Sequence, residues 1–377
     1  MTALNRKKVK LFLWIASIAC LSIQPFFALK GLDNAFPWGV YFIAAQSFAA
    51  IGDGAFIIAF LFYIFRADSL KTLIPSCLLA SLLSNIFASI FMLLNSGQPL
   101  RLCNMLFTPA WGRGVTPDSM FTAAFFSMLI CFIILCVLLI PTALTHKAFE
   151  KSGTARVAAR YIKKLVWIPA AAFFFFALIA HGSFGGGIWE SLHAKVFWHR
   201  EFHSLFITGI AAGAAGGIML ILCLVSFFAP KYPAEASASM LTIAKRAFII
   251  YCFVRAADLL FMTIGLPGEY RLLDIWGGYY GWCMLVLEFC LAAAAIYLLS
   301  KKPSPYIRAG TLCGIFAVIT AKVSTILQGF SIPEFPWDGF AAYLPDPVEM
   351  LSIPAAVFLM ILVYDWIAGR FKVFPDV

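Results

Sequence analysis

Ten apolar runs, each about twenty residues long and closed by a polar break, decide what this chain can become. A helix rises about 1.5 Å per residue, so each run crosses a hydrocarbon layer of about 30 Å. The runs fall near 11–29, 39–65, 70–94, 119–142, 162–182, 204–228, 243–267, 277–299, 309–328 and 346–367. Backbone groups in lipid must bond within their own segment unless a barrel closes. Continuous apolar runs of this length, not short alternating ones, select helices. The chain is 62% hydrophobic, only 12% charged, and has a mean hydropathy of +0.91; a soluble domain is about a quarter charged. The expected fold class is an all-α polytopic membrane protein with about ten transmembrane helices, a single integral membrane domain over 1–377.

Charge sets the expected orientation. With ten spans both termini share one side, and the loops of that side carry 20 of the 28 Lys and Arg residues. Positive loops stay inside, which puts both termini in the cytoplasm. The net charge of +10 then reports topology and contact with the inner leaflet. It does not point to nucleic acid, because no basic soluble domain is present to bind it. The first span has a basic start and an apolar core but no clear cleavage site before LKGLDNAFPWG, so it is expected to remain as a helix.

The long loops on the opposite side are rich in Trp, Pro and Gly and hold Trp111, Trp189, Trp198 and Trp337. They read either as an aromatic belt or as a docking face for an extracytoplasmic partner. The ten cysteines show no CxxC, CxxCH or iron–sulfur spacing and read as packing residues. His146, His193, His199 and His203 lie in or beside loops, so no facing pair of helical histidines is offered to a haem. HxxxH at His199 and His203 lacks the HExxH order of a zinc helix. No metal site, nucleotide loop or nucleophile elbow is expected.

Buried charge is the more pointed signal. The stretch AAIGDGAFIIAF places Asp53 between two glycines in mid-span. Arg255 and Asp258 lie three apart on span seven, Glu288 is in span eight, Lys322 in span nine and Glu349 at the start of span ten. An ionised group at mid-bilayer costs about 2.5–3.5 kcal/mol on insertion scales, so it faces a partner or a wet cavity. Structural readings stand beside the functional ones. Arg255 and Asp258 can be an ion pair that locks helices, Glu288 and Asp53 can be neutral packing hydrogen bonders, and Lys322 can snorkel to the interface. His181 can be a partner of its own helix end. Asn85, Asn95, His181, Lys322 and Glu349 share the outer half of the membrane, which suits a site entered from lipid and served from outside.

Five short motifs, in order along most of the chain, resemble the NrfD-like family, also called the polysulfide-reductase membrane-subunit family, in its ten-helix branch. They are PWGVYFIAAQSFAAIGDGAF at 37–56, NSGQPLRLCNMLFTP at 95–109, HGSFGGG at 181–187, FVRAADLL at 253–260 and AYLPDPVEM at 342–350. The chain departs from the pattern in four ways, one of them being VTPDSM at 115–120, which lacks a motif Trp. Asn95 stands for a motif aspartate, Gln98 for an arginine, and Asp53 for an alanine.

The resemblance implies a subunit without haem or iron–sulfur cluster of its own, which binds quinone near the outer face. It implies a periplasmic-side ferredoxin-like iron–sulfur partner, and through it a multihaem cytochrome c, molybdopterin enzyme or hydrogenase. The expected arrangement is two four-helix bundles, helices two to five (about 39–182) and six to nine (about 204–328), with two peripheral helices. Menaquinone is expected among helices two to five. His181 and Asp53 are the expected proton-handling groups, and Asn85, Asn95, Arg101 and His181 the quinone-binding ones. Asp53, Arg255, Asp258, Glu288, Lys322 and Glu349 are the expected proton path. A secondary transporter with a midplane site, or a plain membrane anchor, is the rival reading.

Overall fold

Each of the ten expected spans is occupied by a long helix. The computed structural model describes residues 3–27, 38–95, 120–144, 152–192, 202–228, 234–265, 276–301, 304–332, 339–371 and 373. The helices are α1 (Ala3–Phe27), α2 (Val40–Phe65), α3 (Ile74–Asn95), α4 (Met120–Ala143), α5 (Gly153–Leu165), α6 (Trp167–Leu192), α7 (Phe202–Phe228), α8 (Ala234–Gly265), α9 (Trp282–Leu299), α10 (Ser304–Ser331) and α11 (Pro347–Arg370). Among the described residues there is no strand. Among the described residues, seven helical segments are long and apolar enough to cross a membrane: Val40–Phe65, Asp68–Asn95, Ala123–Ala143, Ile207–Phe228, Trp282–Leu299, Pro305–Ser331 and Pro347–Arg370. Lys10–Gln24 and Trp167–Ala180 are shorter apolar helices. In α8 the apolar run is interrupted by Lys245, Arg246, Arg255 and Asp258. The protein is a multi-pass, all-α membrane protein.

Packing runs in two closed rings. α2 packs on α3, α3 on α4, α4 on α6, and α6 returns to α2. Likewise α7 packs on α8, α8 on α9, α9 on α10, and α10 returns to α7. Helices α1 and α11 pair with each other, clamped by Lys10 Nζ and Asp365 Oδ2 at 2.5 Å, and α11 leans on α3 and α2. Buried Ser76 and Tyr364 share a hydrogen bond of 2.6 Å between α3 and α11.

The rings meet along α2 and α7, where glycine lets the backbones nearly touch. A Cβ on Gly54 would stand 1.8 Å from the carbonyl oxygen of Gly213, and one on Gly217 would stand 2.0 Å from the amide nitrogen of Ala55. Gly213 and Gly217 are four apart on α7, the small-xxx-small spacing that drives close helix crossings in lipid. Lipid tails give helices no hydrophobic reason to associate, so this close contact supplies much of what holds the rings together.

The loops at one end also interlock. Gly278 has a φ of +72° that a side chain would strain, and a Cβ there would meet the Phe340 ring at 2.8 Å. The Tyr280 hydroxyl donates to the Tyr343 carbonyl, and Gln328 Nε2 donates to Gly277 O at 2.9 Å. Segments 276–281 and 339–346 are thereby tied over the ends of α9, α10 and α11.

Helix α5 was not among the expected elements. Val157, Tyr161 and Leu165 form an exposed apolar stripe on it, at one-turn spacing, and the helix leads into exposed Trp167. A basic, amphipathic helix of this kind suits a membrane surface.

Candidate functional site

The α2–α3 contact creates the first polar pair. A Cβ on Gly52 would lie 2.6 Å from Ser84 Cβ, so the helices approach closely just where Asp53 follows. Asn85 Nδ2 donates to Asp53 Oδ1 at 2.9 Å and to the Ser81 carbonyl at 3.0 Å. The second bond fixes the amide with its NH2 toward the carboxylate. Asn85 is buried, while Asp53 is half-buried.

Asp53 also lines a small, partly open cleft between α2, α6 and α7. Its walls are apolar and aromatic, with Phe56, Ile57, Phe173, Phe174, Leu178 and Ile210 among them, and glycines 54, 209 and 213 thin the α2–α7 side. Phe56 and Phe173 sit with ring centroids 4.0 Å apart, and Phe60 and Phe174 stack at 4.3 Å. Aromatic and aliphatic walls of this kind suit contact with a flat apolar ring, and a carboxylate at the edge gives the cleft one polar end. The sequence placed the site among the second to fifth long helices; the cleft takes its third wall from the sixth, α7, because the glycine crossing opens beside it.

The second polar group lies in the other ring. Arg255 of α8 is 2% exposed and Glu288 of α9 is 1% exposed. Arg255 Nη1 donates to Asp258 Oδ2 at 2.8 Å, and Arg255 Nε to Glu288 Oε1 at 3.2 Å. The Tyr251 hydroxyl donates to the same Glu288 oxygen at 2.5 Å. The guanidinium stacks over buried Trp276 at 5.6 Å from the ring centroid. Sequence reasoning paired Arg255 with Asp258 but missed Glu288 as the cross-helix partner, and missed Tyr251. The signal for Tyr251 was present: it precedes Arg255 by four residues and so shares its helix face.

Lys322 of α10 lies close to this cluster but does not join its ion pairs. Its Nζ is 3.5 Å from where a Gly209 Cβ would be.

Glu349 has a local duty at the start of α11. Its Oε2 accepts from the Asp346 amide at 3.2 Å, while Asp346 Oδ1 accepts from the Val348 amide at 2.8 Å, the reciprocal pattern of a capping box. Tyr343 also donates to Glu349 Oε2, at 2.7 Å. None of these bonds joins Glu349 to either polar group.

Asn95 closes α3, and its Oδ1 is buried with no hydrogen bond among the described residues. Ten residues of helix put it about 15 Å along the axis from Asn85, so both side chains cannot grip one small ring. His181 follows cleft-lining Ala177 by one turn on α6. Its side chain lies outside the described residues, as do Arg101 and the loop histidines His146, His193 and His199. Among the described residues no group of three His, Cys, Asp or Glu side chains could hold a metal ion.

These features define a multi-pass helical membrane protein with a polar-edged cleft where two helical rings meet and a buried charge cluster in the second ring. The chain belongs to the family described as "Polysulphide reductase, NrfD", which it matches over residues 29–331. It is 24% identical, over 373 residues, to the menaquinone reductase integral membrane subunit of Nitratidesulfovibrio vulgaris (strain Hildenborough); the match covers 92% of this chain and 86% of that protein. Among solved structures it is similar to a chain of the bd oxidase from Geobacillus thermodenitrificans, with 15% identity and a TM-score of 0.46, over 97% of this chain and 100% of that one.

Proposed function

We propose that this chain is the quinone-interacting membrane subunit of a respiratory oxidoreductase complex. It exchanges electrons between a quinone, menaquinone in preference, and an extracytoplasmic iron–sulfur or multihaem cytochrome c subunit. The observation that carries this reading is the Asp53–Asn85 pair at the edge of an aromatic cleft between α2, α6 and α7. Membership of the family and the likeness to a menaquinone reductase membrane subunit support it.

A quinone is an apolar ring and tail with two carbonyl oxygens, and its interconversion with quinol moves two electrons and two protons. The aromatic walls hold the ring, and Asp53, steadied by Asn85, holds or passes a proton at the carboxylate. His181, one turn beyond the cleft on α6, is the donor best suited to proton exchange near neutral pH. Asn95 closes α3 and serves the route outward rather than the ring; Arg101 is proposed from the sequence alone as a quinone-binding residue. Tyr251, Glu288, Arg255, Asp258 and Lys322 continue the polar groups across the second ring and supply a proton path. The protein sits in the bacterial inner membrane with both termini cytoplasmic, and the long outer loops receive the partner.

The test is turnover of menaquinol by the purified complex. His181→Ala is expected to abolish quinone-linked turnover while the partner subunits still co-purify. Normal turnover in that variant removes His181 from the mechanism, and a chain that purifies without quinone or redox partner, under conditions that preserve known complexes, overturns the whole reading.

A further inference from the structure

Lys322 stands between the two polar groups, and its surroundings say which one it serves. Its charged neighbour in the second ring is Arg255, a like charge that repels it. The two carboxylates there are already engaged: Asp258 by Arg255 at 2.8 Å, and Glu288 by Arg255 at 3.2 Å and by Tyr251. Among the described residues Lys322 makes no ion pair or hydrogen bond. An ammonium held inside a helical bundle needs an oxygen to face.

On its other side is α7, which presents Gly209 to it. Gly209 lines the Asp53 cleft, and among the described residues the single atom within 4 Å of a Cβ built on Gly209 is Lys322 Nζ, at 3.5 Å. Any larger residue at 209 would put a side chain beside the ammonium. Asp53 stands on the α2 wall of the same cleft, so the cavity has a carboxylate on one helix and a cation behind the next.

We propose that Lys322 is a binding residue of the Asp53 cleft, donating past Gly209 to an oxygen of the ligand held there. The inference rests on the quinone reading and deepens it: a quinone carries two carbonyl oxygens on opposite sides of its ring. One faces the Asp53–Asn85 pair and the other faces Lys322. The ammonium favours a ligand oxygen that carries negative charge, because charge-assisted hydrogen bonds are the strong ones.

The experiment uses the intact complex in detergent and a fluorescent heptyl-hydroxyquinoline N-oxide, a quinol analogue whose emission is quenched on binding. The wild type is expected to bind it, and Lys322→Met to bind about 10- to 100-fold more weakly, the range of a hydrogen bond to a charged group. Lys322→Arg should recover part of the loss. Gly209→Ala has room for its methyl, which then lies between cleft and ammonium, and it should weaken binding in the presence of Lys322 but not on a Lys322→Met background. A wild type that binds and a Lys322→Met that binds equally well overturn the role of Lys322 and leave the quinone reading standing. A wild type that does not bind the probe overturns both. If Lys322→Met fails to fold, Gly209→Ala decides: unchanged affinity there overturns the proposal.

Discussion

The amide of Asn85 and the carboxylate of Asp53 meet at 2.9 Å across the α2–α3 contact, with Asn85 as donor. Only the carboxylate also reaches the cleft, so the pair divides its work: one side chain is fixed and the other is exposed to the ligand. Asp53→Asn keeps the size and removes the proton-handling group. Quinol turnover by the complex should fall by about 10²-fold or more, the usual worth of a positioned acid–base group, with subunit composition unchanged on a native gel. Turnover within a factor of two of wild type would make Asp53 a packing residue.

The α2–α7 crossing predicts a sharp steric contrast. Gly54→Ala pushes a methyl into the Gly213 backbone, which has no flexible end to give way. A cost of about 1–3 kcal/mol or more follows from overpacking, read as a lower thermal unfolding temperature and lower yield. Gly209→Ala, with nothing nearer than 3.5 Å among the described residues, should unfold within about a degree of wild type.

Arg255 and Glu288 form a buried pair whose halves should not be removed singly. Arg255→Met leaves two carboxylates inside the second ring and should cost about 3–5 kcal/mol of stability. A further Glu288→Leu should return part of that loss, because a buried pair replaced by apolar groups is often nearly neutral. Thermal unfolding of the single and double variants measures this. No recovery in the double variant would mean that the two residues do not depend on each other.

Tyr343 lies in the 339–346 segment, outside the spans, and its phenol is pushed above the ordinary value of 10.0, first by burial and then by its hydrogen bond to Glu349. The folded state holds that proton more tightly than the unfolded chain does. The stabilisation is therefore fully present below pH 10 and is lost as pH rises through the higher folded value. Tyr343→Phe should lower stability at pH 8 by about 1 kcal/mol, the worth of one hydrogen bond, and should flatten the alkaline decline. An alkaline decline identical in the variant would assign it to other groups.

The helical class, the ten runs and the positions of buried charge were all legible in order along the chain, because lipid imposes a length and a polarity on every span and each can be read locally. Helix ends were less legible: α8 begins at Ala234, well before the apolar run near 243, because a helix continues past the membrane where propensity allows. Helix α5 escaped notice because its pattern is amphipathic rather than apolar. Glu349 read as one buried acid among several, and only the turn geometry around Asp346 makes it a cap.

Which buried groups meet could not be read from spacing. Arg255 finds Asp258 three residues away on its own helix, a relation visible in FVRAADLL, but it finds Glu288 across a helix boundary. Asp53 and Asn85 lie 32 apart in sequence and touch because two helices run antiparallel at the same level. The sequence by itself determined the solvent, the helices and the residues that had to be sheltered, since each is a property of a local stretch of chain. The tertiary structure alone decided that Gly54, Gly213 and Gly217 bring two rings into contact, and that Gly209 leaves Lys322 beside the Asp53 cleft. Those outcomes depend on distances between backbones, which packing sets and no single segment contains.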